Sequence, residues 1–213
     1  VSTHRESDRA IARTPKELGD DARAASRPIL GIFVGGHARR MGGAAKGLLA
    51  APDGAGSLVS RLVALAEPLV DHVVLVGEHE AYRALPWNTL KDAVPDSGPL
   101  GGLVALLEHA RGRDVIAIAC DMPFVDRALL TRLVHEACDA AILCPRRDGR
   151  WEPLVARYRS DAVIDSARAR LERGELGLQP LLDALDATEL PLDDAERASL
   201  DDWDSPDDIA RPR

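Results

Sequence analysis

"ILGIFVGGHARRMGGAAKGLL", residues 29–49, begins as an unbroken apolar run and turns at Val34 into a loop. Residues 34–47 hold five glycines and three cationic side chains, Arg39, Arg40 and Lys46, in fourteen positions. An apolar run without polar alternation describes a strand buried on both faces, as in a mainly parallel sheet covered by helices. Glycines permit positive φ and let backbone N–H groups approach a phosphate, while Arg and Lys supply counter-charge. In an open α/β sheet, ligands bind beyond the carboxyl ends of the strands. The stretch therefore predicts an α/β protein with an anion site at the end of its first strand.

The same pattern recurs downstream. "HVVLV" (72–76), "DVIAIA" (114–119) and "AAILC" (140–144) read as further buried strands, and "WEPLVARY" (151–158) as a later one. Between them "SLVSRLVALAEPL" (57–69), "GGLVALLEHARG" (101–112) and "DRALLTRLVHEACD" (126–139) carry apolar residues at helical spacing. Two more helices are expected near 160–173 and 178–186. The β-α alternation predicts a three-layer α/β/α sandwich with a mainly parallel sheet. Residues 1–27 are charged, lack a sustained apolar period and are expected to be an N-terminal extension that is dispensable for fold and nucleotide binding. Residues 28–213 are expected to form one domain.

The loop fits neither of two familiar phosphate templates. A P-loop needs Gly-Lys followed by Ser or Thr, whereas Lys46 lies between Ala45 and Gly47. The dinucleotide fingerprint G-x-G-x-x-G fails because Gly35 and Gly36 are adjacent and the next glycines are Gly42 and Gly43. A dinucleotide loop also relies on a helix N-terminus more than on several cations. A cation about 4 Å from a phosphate oxygen gains about 4 kcal/mol of gross Coulomb energy at an effective dielectric of 20. Several such cations suit a triphosphate.

At this point the residues resemble a known family. "FVGGHARRMGGAAKGLL" is similar to the signature of the molybdenum cofactor guanylyltransferases, Leu-Ala-Gly-Gly, then Arg-Met-Gly, then Lys and two Leu. The resemblance continues through "KDAVPDSGPLGG" (91–102), "ACDMPFV" (119–125), "WEPLVARY" and "DDWDSPDDI" (201–209). It implies a Rossmann-like nucleotidyltransferase fold. It implies that Mg²⁺ and GTP bind, that a phosphate of molybdopterin attacks the α-phosphorus, and that pyrophosphate leaves. Carried over by position, Phe33, Val34, Gly35 and Gly36 would line the nucleotide, and Arg40 and Lys46 would hold the triphosphate. Asp92 would contact the nucleoside, Asp121 would ligate the metal, and Gly43, Gly98 and Gly102 would lie near the acceptor phosphate. Molybdoenzyme maturation proteins would be partners.

Three departures accompany the match. Val76 stands where some members carry Asn, the closing Asn-x-Asn-Thr-Pro becomes Asp202 to Pro206, and a basic residue is replaced by Leu176 or Gly177. Arg146, Arg147, Arg150, Arg168, Arg170 and Arg173 are the candidates to replace that cation. Two other functions compete: a cytidylyltransferase on the same cofactor, and a nucleotide-binding regulatory module without turnover. Val34-Gly35-Gly36 and the Gly98-Pro99-Leu100 turn favour the guanylyl reading.

Composition narrows the partners. Twenty-seven Lys and Arg against 35 Asp and Glu leave a net charge of −8, so neither nucleic acid nor an anionic membrane is an expected partner. Aromatic residues, at 3%, are too few for a base-stacking platform. Cys120, Cys138 and Cys144 match neither a disulfide framework nor a zinc pattern, which agrees with a reducing, cytoplasmic setting.

Overall fold

The computed structural model describes residues 26–35 and 45–210. Gly36, Arg40 and Gly43 lie outside the described residues, as do residues 1–25 of the expected extension. Just before the first strand, Arg27 Nη2 donates to the Glu67 carbonyl at 2.9 Å and the Asp71 N–H to the Pro28 carbonyl at 2.8 Å.

Among the described residues the strands are β1 (Ile29–Phe33), β2 (Val73–Val76), β3 (Thr89–Leu90), β4 (Asp114–Ala119), β5 (Ile142–Cys144), β6 (Arg146–Arg147), β7 (Arg150–Trp151), β8 (Val155–Arg159) and β9 (Thr188–Glu189). Seven of them form one sheet in the order β3-β2-β1-β4-β8-β5-β9, and β6 and β7 form a separate hairpin. In that sheet β8 alone is antiparallel to its neighbours, β4 and β5. The helices are α1 (Leu58–Ala66), α2 (Gly98–Ala110), α3 (Arg127–His135), α4 (Ser160–Glu172), α5 (Leu178–Ala184), α6 (Asp194–Ala198) and α7 (Pro206–Ala210).

The pleat sorts each strand's side chains onto two faces. Leu30, Ile32, Leu75, Ile116 and Ile118 pack with α1 and α3, while Ile29, Phe33, Val74, Val76, Val115 and Ala117 pack with α2, α4 and α5. The result is the expected three-layer sandwich. Gly31 is needed for one of those contacts, because a Cβ there would lie 2.4 Å from Leu106 of α2. The helices start where side chains satisfy orphan N–H groups: Ser57 accepts from Ser60 N–H ahead of α1, and Asp126 from Leu129 N–H ahead of α3.

Two expectations need correction. "WEPLVARY" is not one strand: Arg150–Trp151 pair with the β6 side of the hairpin, and pairing in the main sheet starts at Val155. Pro153, which has no N–H to give a ladder, lies in the break. The helix expected over 126–139 ends at His135. There the buried Arg157 of β8 turns its guanidinium onto the carbonyls of Leu133 (3.1 Å), Val134 (3.2 Å) and Glu136 (3.0 Å), capping the helix from the sheet. The edge strands β3 and β9, two residues each, were not expected.

Candidate active site

The chain leaves β1 to pair first with β2 and then, on the other side, with β4. That reversal opens a crevice at the carboxyl ends of β1 and β4. Because β8 runs the other way, it enters the sheet at the edge where β4 leaves it, with Val155 opposite Ile118. The residues just before β8 therefore face the same crevice. A cavity of about 410 Å³ lies there, running from Val76 and Asp92 past Val34 and Lys46 to Asp121 and Glu152.

Phe33, Val34 and Gly35 line its floor. The N–H groups of Val34 and Gly35 both donate to the Val76 carbonyl, at 2.9 and 3.2 Å. They are thus already engaged, and backbone donors for an anion must come from elsewhere. Gly35 lies against Gly77, where a Cβ would come within 2.6 Å of the Gly35 Cα and where φ is 103°. Gly77 is a positional requirement that the sequence reading missed.

Lys46 opens a single 3-10 turn, and the next residue anchors it. The Gly47 N–H donates to the Tyr82 hydroxyl at 2.9 Å, and a Cβ on Gly47 would lie 2.6 Å from Val59. Lys46 Nζ lies 2.8 Å from Asp121 Oδ2 and 2.5 Å from Asp204 Oδ1. Burial disfavours the ammonium, but the hydrogen bonds and charges of Asp121 and Asp204 outweigh it and hold the pKa above the ordinary lysine value. Lys46 and Asp121 are well enclosed, at 14% and 19% exposure, while Asp204 is half open at 50%.

Asp204 reaches Lys46 because Trp203 fixes the closing segment. The Trp203 N–H donates to the Asp121 carbonyl at 2.9 Å, and its ring packs among Ala51, Leu58 and Phe124. Asp202, on the other side of Trp203, lines the cavity. Burial, followed by Asp204 and Asp121, raises its carboxyl pKa. Asp92 also lines the cavity, and burial together with Glu78 raises its pKa. Beside Asp121, burial pushes the Cys120 thiol up to about 12, so it is a neutral wall and not a nucleophile.

Of the glycines at α2, Gly98 lines the cavity at the helix start. Gly102 is buried one turn further on, where a Cβ would meet Val76 at 2.8 Å and Phe33 at 3.0 Å. Among the described residues lining the cavity, Lys46 is the one Lys or Arg. Arg168, Arg170 and Arg173 pair with Glu108 and Glu175, Arg146 stacks 3.7 Å over the Trp151 ring, and Arg150 is exposed on the hairpin. Arg147 approaches indirectly, through Glu152.

Among the described residues no cluster of three or more His, Cys, Asp or Glu is placed to hold a metal alone. Two carboxylates, Asp121 and Asp204, converging on Lys46 nevertheless fit Mg²⁺, which takes one or two carboxylates and completes its shell with other oxygen ligands. Among the described residues no helix is long and apolar enough to cross a membrane.

Comparison with known proteins agrees with this architecture. The family model of the MobA-like NTP transferase domain matches residues 31–188. The molybdenum cofactor guanylyltransferase of Pseudomonas putida (strain GB-1) is 37% identical over 150 residues, covering 67% of this chain and 76% of the relative. A probable molybdenum cofactor guanylyltransferase of Chloroflexus aggregans is 33% identical over 158 residues, 72% of this chain and 76% of that one. The crystal structure of molybdopterin-guanine dinucleotide biosynthesis protein A from Archaeoglobus fulgidus superposes with a TM-score of 0.71 at 25% identity, over 85% of this chain and 95% of that one. The fold is also that of 2-C-methyl-D-erythritol 4-phosphate cytidylyltransferase from Thermus thermophilus, with a TM-score of 0.62 at 16% identity over 87% and 96% of the two chains.

Proposed function

The chain belongs to the MobA-like NTP transferase domain family, and from that membership we propose that it is a guanylyltransferase acting on molybdopterin. It transfers the GMP unit of GTP to the terminal phosphate of the acceptor. An oxygen of that phosphate bonds to the α-phosphorus of GTP, the α-β bridging P–O bond breaks, and pyrophosphate leaves with the electron pair. The observation that carries this reading is the convergence of Lys46, Asp121 and Asp204 at the switch point of the sheet.

Phosphoryl-type transfer asks mainly for alignment and for neutralisation of the departing charge. Lys46, together with Arg40 of the loop, holds the triphosphate. Asp121, with Asp204 beside it, would hold Mg²⁺, which would supply Lewis-acid neutralisation of the phosphates and of the leaving pyrophosphate. As the nucleotide enters, Lys46 exchanges carboxylate contacts for phosphate oxygens. Phe33, Val34, Gly35 and Gly36 line the nucleotide. Asp92 takes the nucleoside, where a carboxylate accepts from adjacent N–H groups such as those on the guanine edge. Gly43 and Gly98 flank the acceptor phosphate, Gly98 through the open N-terminal turn of α2, with Gly102 seating that helix against the sheet. We place this reaction in the cytoplasm, with the dinucleotide passed to molybdoenzyme maturation proteins.

The test is pyrophosphate release with GTP, CTP or ATP and Mg²⁺, with and without molybdopterin. Release that requires molybdopterin and favours GTP is expected. A preference for CTP would replace the guanylyl reading with the cytidylyl one.

A further inference from the structure

The cavity spans several strand ends, and its two ends differ in lining. From the end of β2 to the segment before β8 it crosses β1 and β4, three strand spacings of about 4.8 Å, or about 14 Å. Asp92 and Val76 mark one end, and the Lys46–Asp121 pair lies near the middle. The far end is formed by Glu152, Pro153, Leu154 and Asp202. It is acidic, and none of Arg146, Arg147, Arg150, Arg168, Arg170 and Arg173 lines it.

Glu152 is enclosed, at 17% exposure, and burial raises its carboxyl pKa, with Arg147 opposing that rise. Arg147 Nε donates to its Oε1 at 2.8 Å, and Arg147 Nη1 is itself anchored on the Leu200 carbonyl at 2.9 Å. The Glu152 N–H is tied to the Pro145 carbonyl at 3.0 Å. The carboxylate is thus pre-oriented at a cavity wall, and among the described residues no hydrogen bond is made to its Oε2. That oxygen faces the cavity, where a ligand donor can take the place of water. A phosphate would be repelled there, so the end suits a ligand portion that brings hydrogen-bond donors.

A pterin ring does so. Its 2-amino-4-oxopyrimidine edge places a ring N–H beside an amino N–H, matching the paired acceptors of a carboxylate. We propose that Glu152 binds the pterin edge of the acceptor, with Arg147 as the residue that positions it. This rests on the reading of the acceptor as a pterin phosphate, and it separates the two substrates along the crevice, with the nucleoside at β2 and the pterin at the entry to β8.

Glu152→Gln replaces one acceptor oxygen with a donor at nearly constant shape. The KM for molybdopterin should rise at least tenfold while the GTP dissociation constant, measured by calorimetry, stays within about twofold. Glu152→Asp should recover part of the loss. A second measurement needs no variant: pterin should compete with molybdopterin better than lumazine, which carries a carbonyl where pterin has the amino group. An unchanged acceptor KM in Glu152→Gln, a parallel loss of GTP affinity and melting temperature, or equal competition by pterin and lumazine would each overturn the assignment. If Glu152→Gln does not fold, the pterin-lumazine comparison on the wild-type protein decides. Absence of dinucleotide formation with pterin preference intact would overturn the acceptor reading instead, and leave Glu152 a pterin ligand.

Discussion

Lys46 carries the positive charge of the described site, and its two carboxylate partners leave the trio with net negative charge. That balance suits a site that receives a nucleotide together with a divalent cation. A charge-assisted hydrogen bond contributes about 1.5–3 kcal/mol, so Lys46→Ala should weaken GTP binding by roughly 10- to 150-fold in a calorimetric titration. Asp121→Asn should keep the fold and lose metal-dependent turnover; full activity of that variant across a Mg²⁺ series would refute the metal role. Asp92 makes a prediction in the opposite direction. Its folded pKa is raised, so the ionised carboxyl costs stability at every pH above that raised value, and the cost fades as pH falls through the ordinary carboxylate range near about 4. Asp92→Asn should therefore gain about 1–2 °C in melting temperature at neutral pH, a small effect because the group is only half buried, and lose that gain in acid. The same variant should bind GTP less well. Lys46 and Asp121 were legible in the sequence because Lys46 closes the Gly-rich loop that follows β1 and Asp121 sits just beyond β4, each in a motif with its own chemistry. Asp204 was legible as part of the closing motif near the acceptor, but not its contact with Lys46, since 158 residues separate the two and only the course of the chain brings them together, and Glu152 was not legible as a site residue.

At the scale of elements, the antiparallel β8 does most to shape the site. It turns the chain back at the edge of the crevice, which brings Glu152 to the cavity, and its Arg157 ends α3. Lysine cannot reproduce the fork that reaches several carbonyls at once. Arg157→Lys should cost about 2 kcal/mol, or roughly 4–8 °C in melting temperature, with the KM for GTP unchanged. A variant that melts like the parent would show that those bonds contribute little. The long strands and amphipathic helices were legible because burial on two faces or one leaves an unbroken or a periodic apolar run. β3 and β9 carry no period in two residues, and the end of α3 is set by an arginine 22 positions beyond the helix. Helical spacing continued past His135, and tertiary capping overrode it.

At the scale of the whole molecule, an acidic protein of net charge −8 has to attract two anionic substrates to one crevice. The sheet order meets that demand by collecting Lys46 and the start of α2 at one crevice, with the carboxylates placed to meet a cation and N–H donors. Both substrates must then be present in one cavity and leave joined. The most direct measurement is mass spectrometry of the purified protein after incubation with molybdopterin, GTP and Mg²⁺. A pterin-guanine dinucleotide, formed in step with pyrophosphate and absent when Mg²⁺ is withheld, is the predicted result. Normal GTP binding without that dinucleotide, together with guanylylation of a different phosphorylated acceptor, would contradict it.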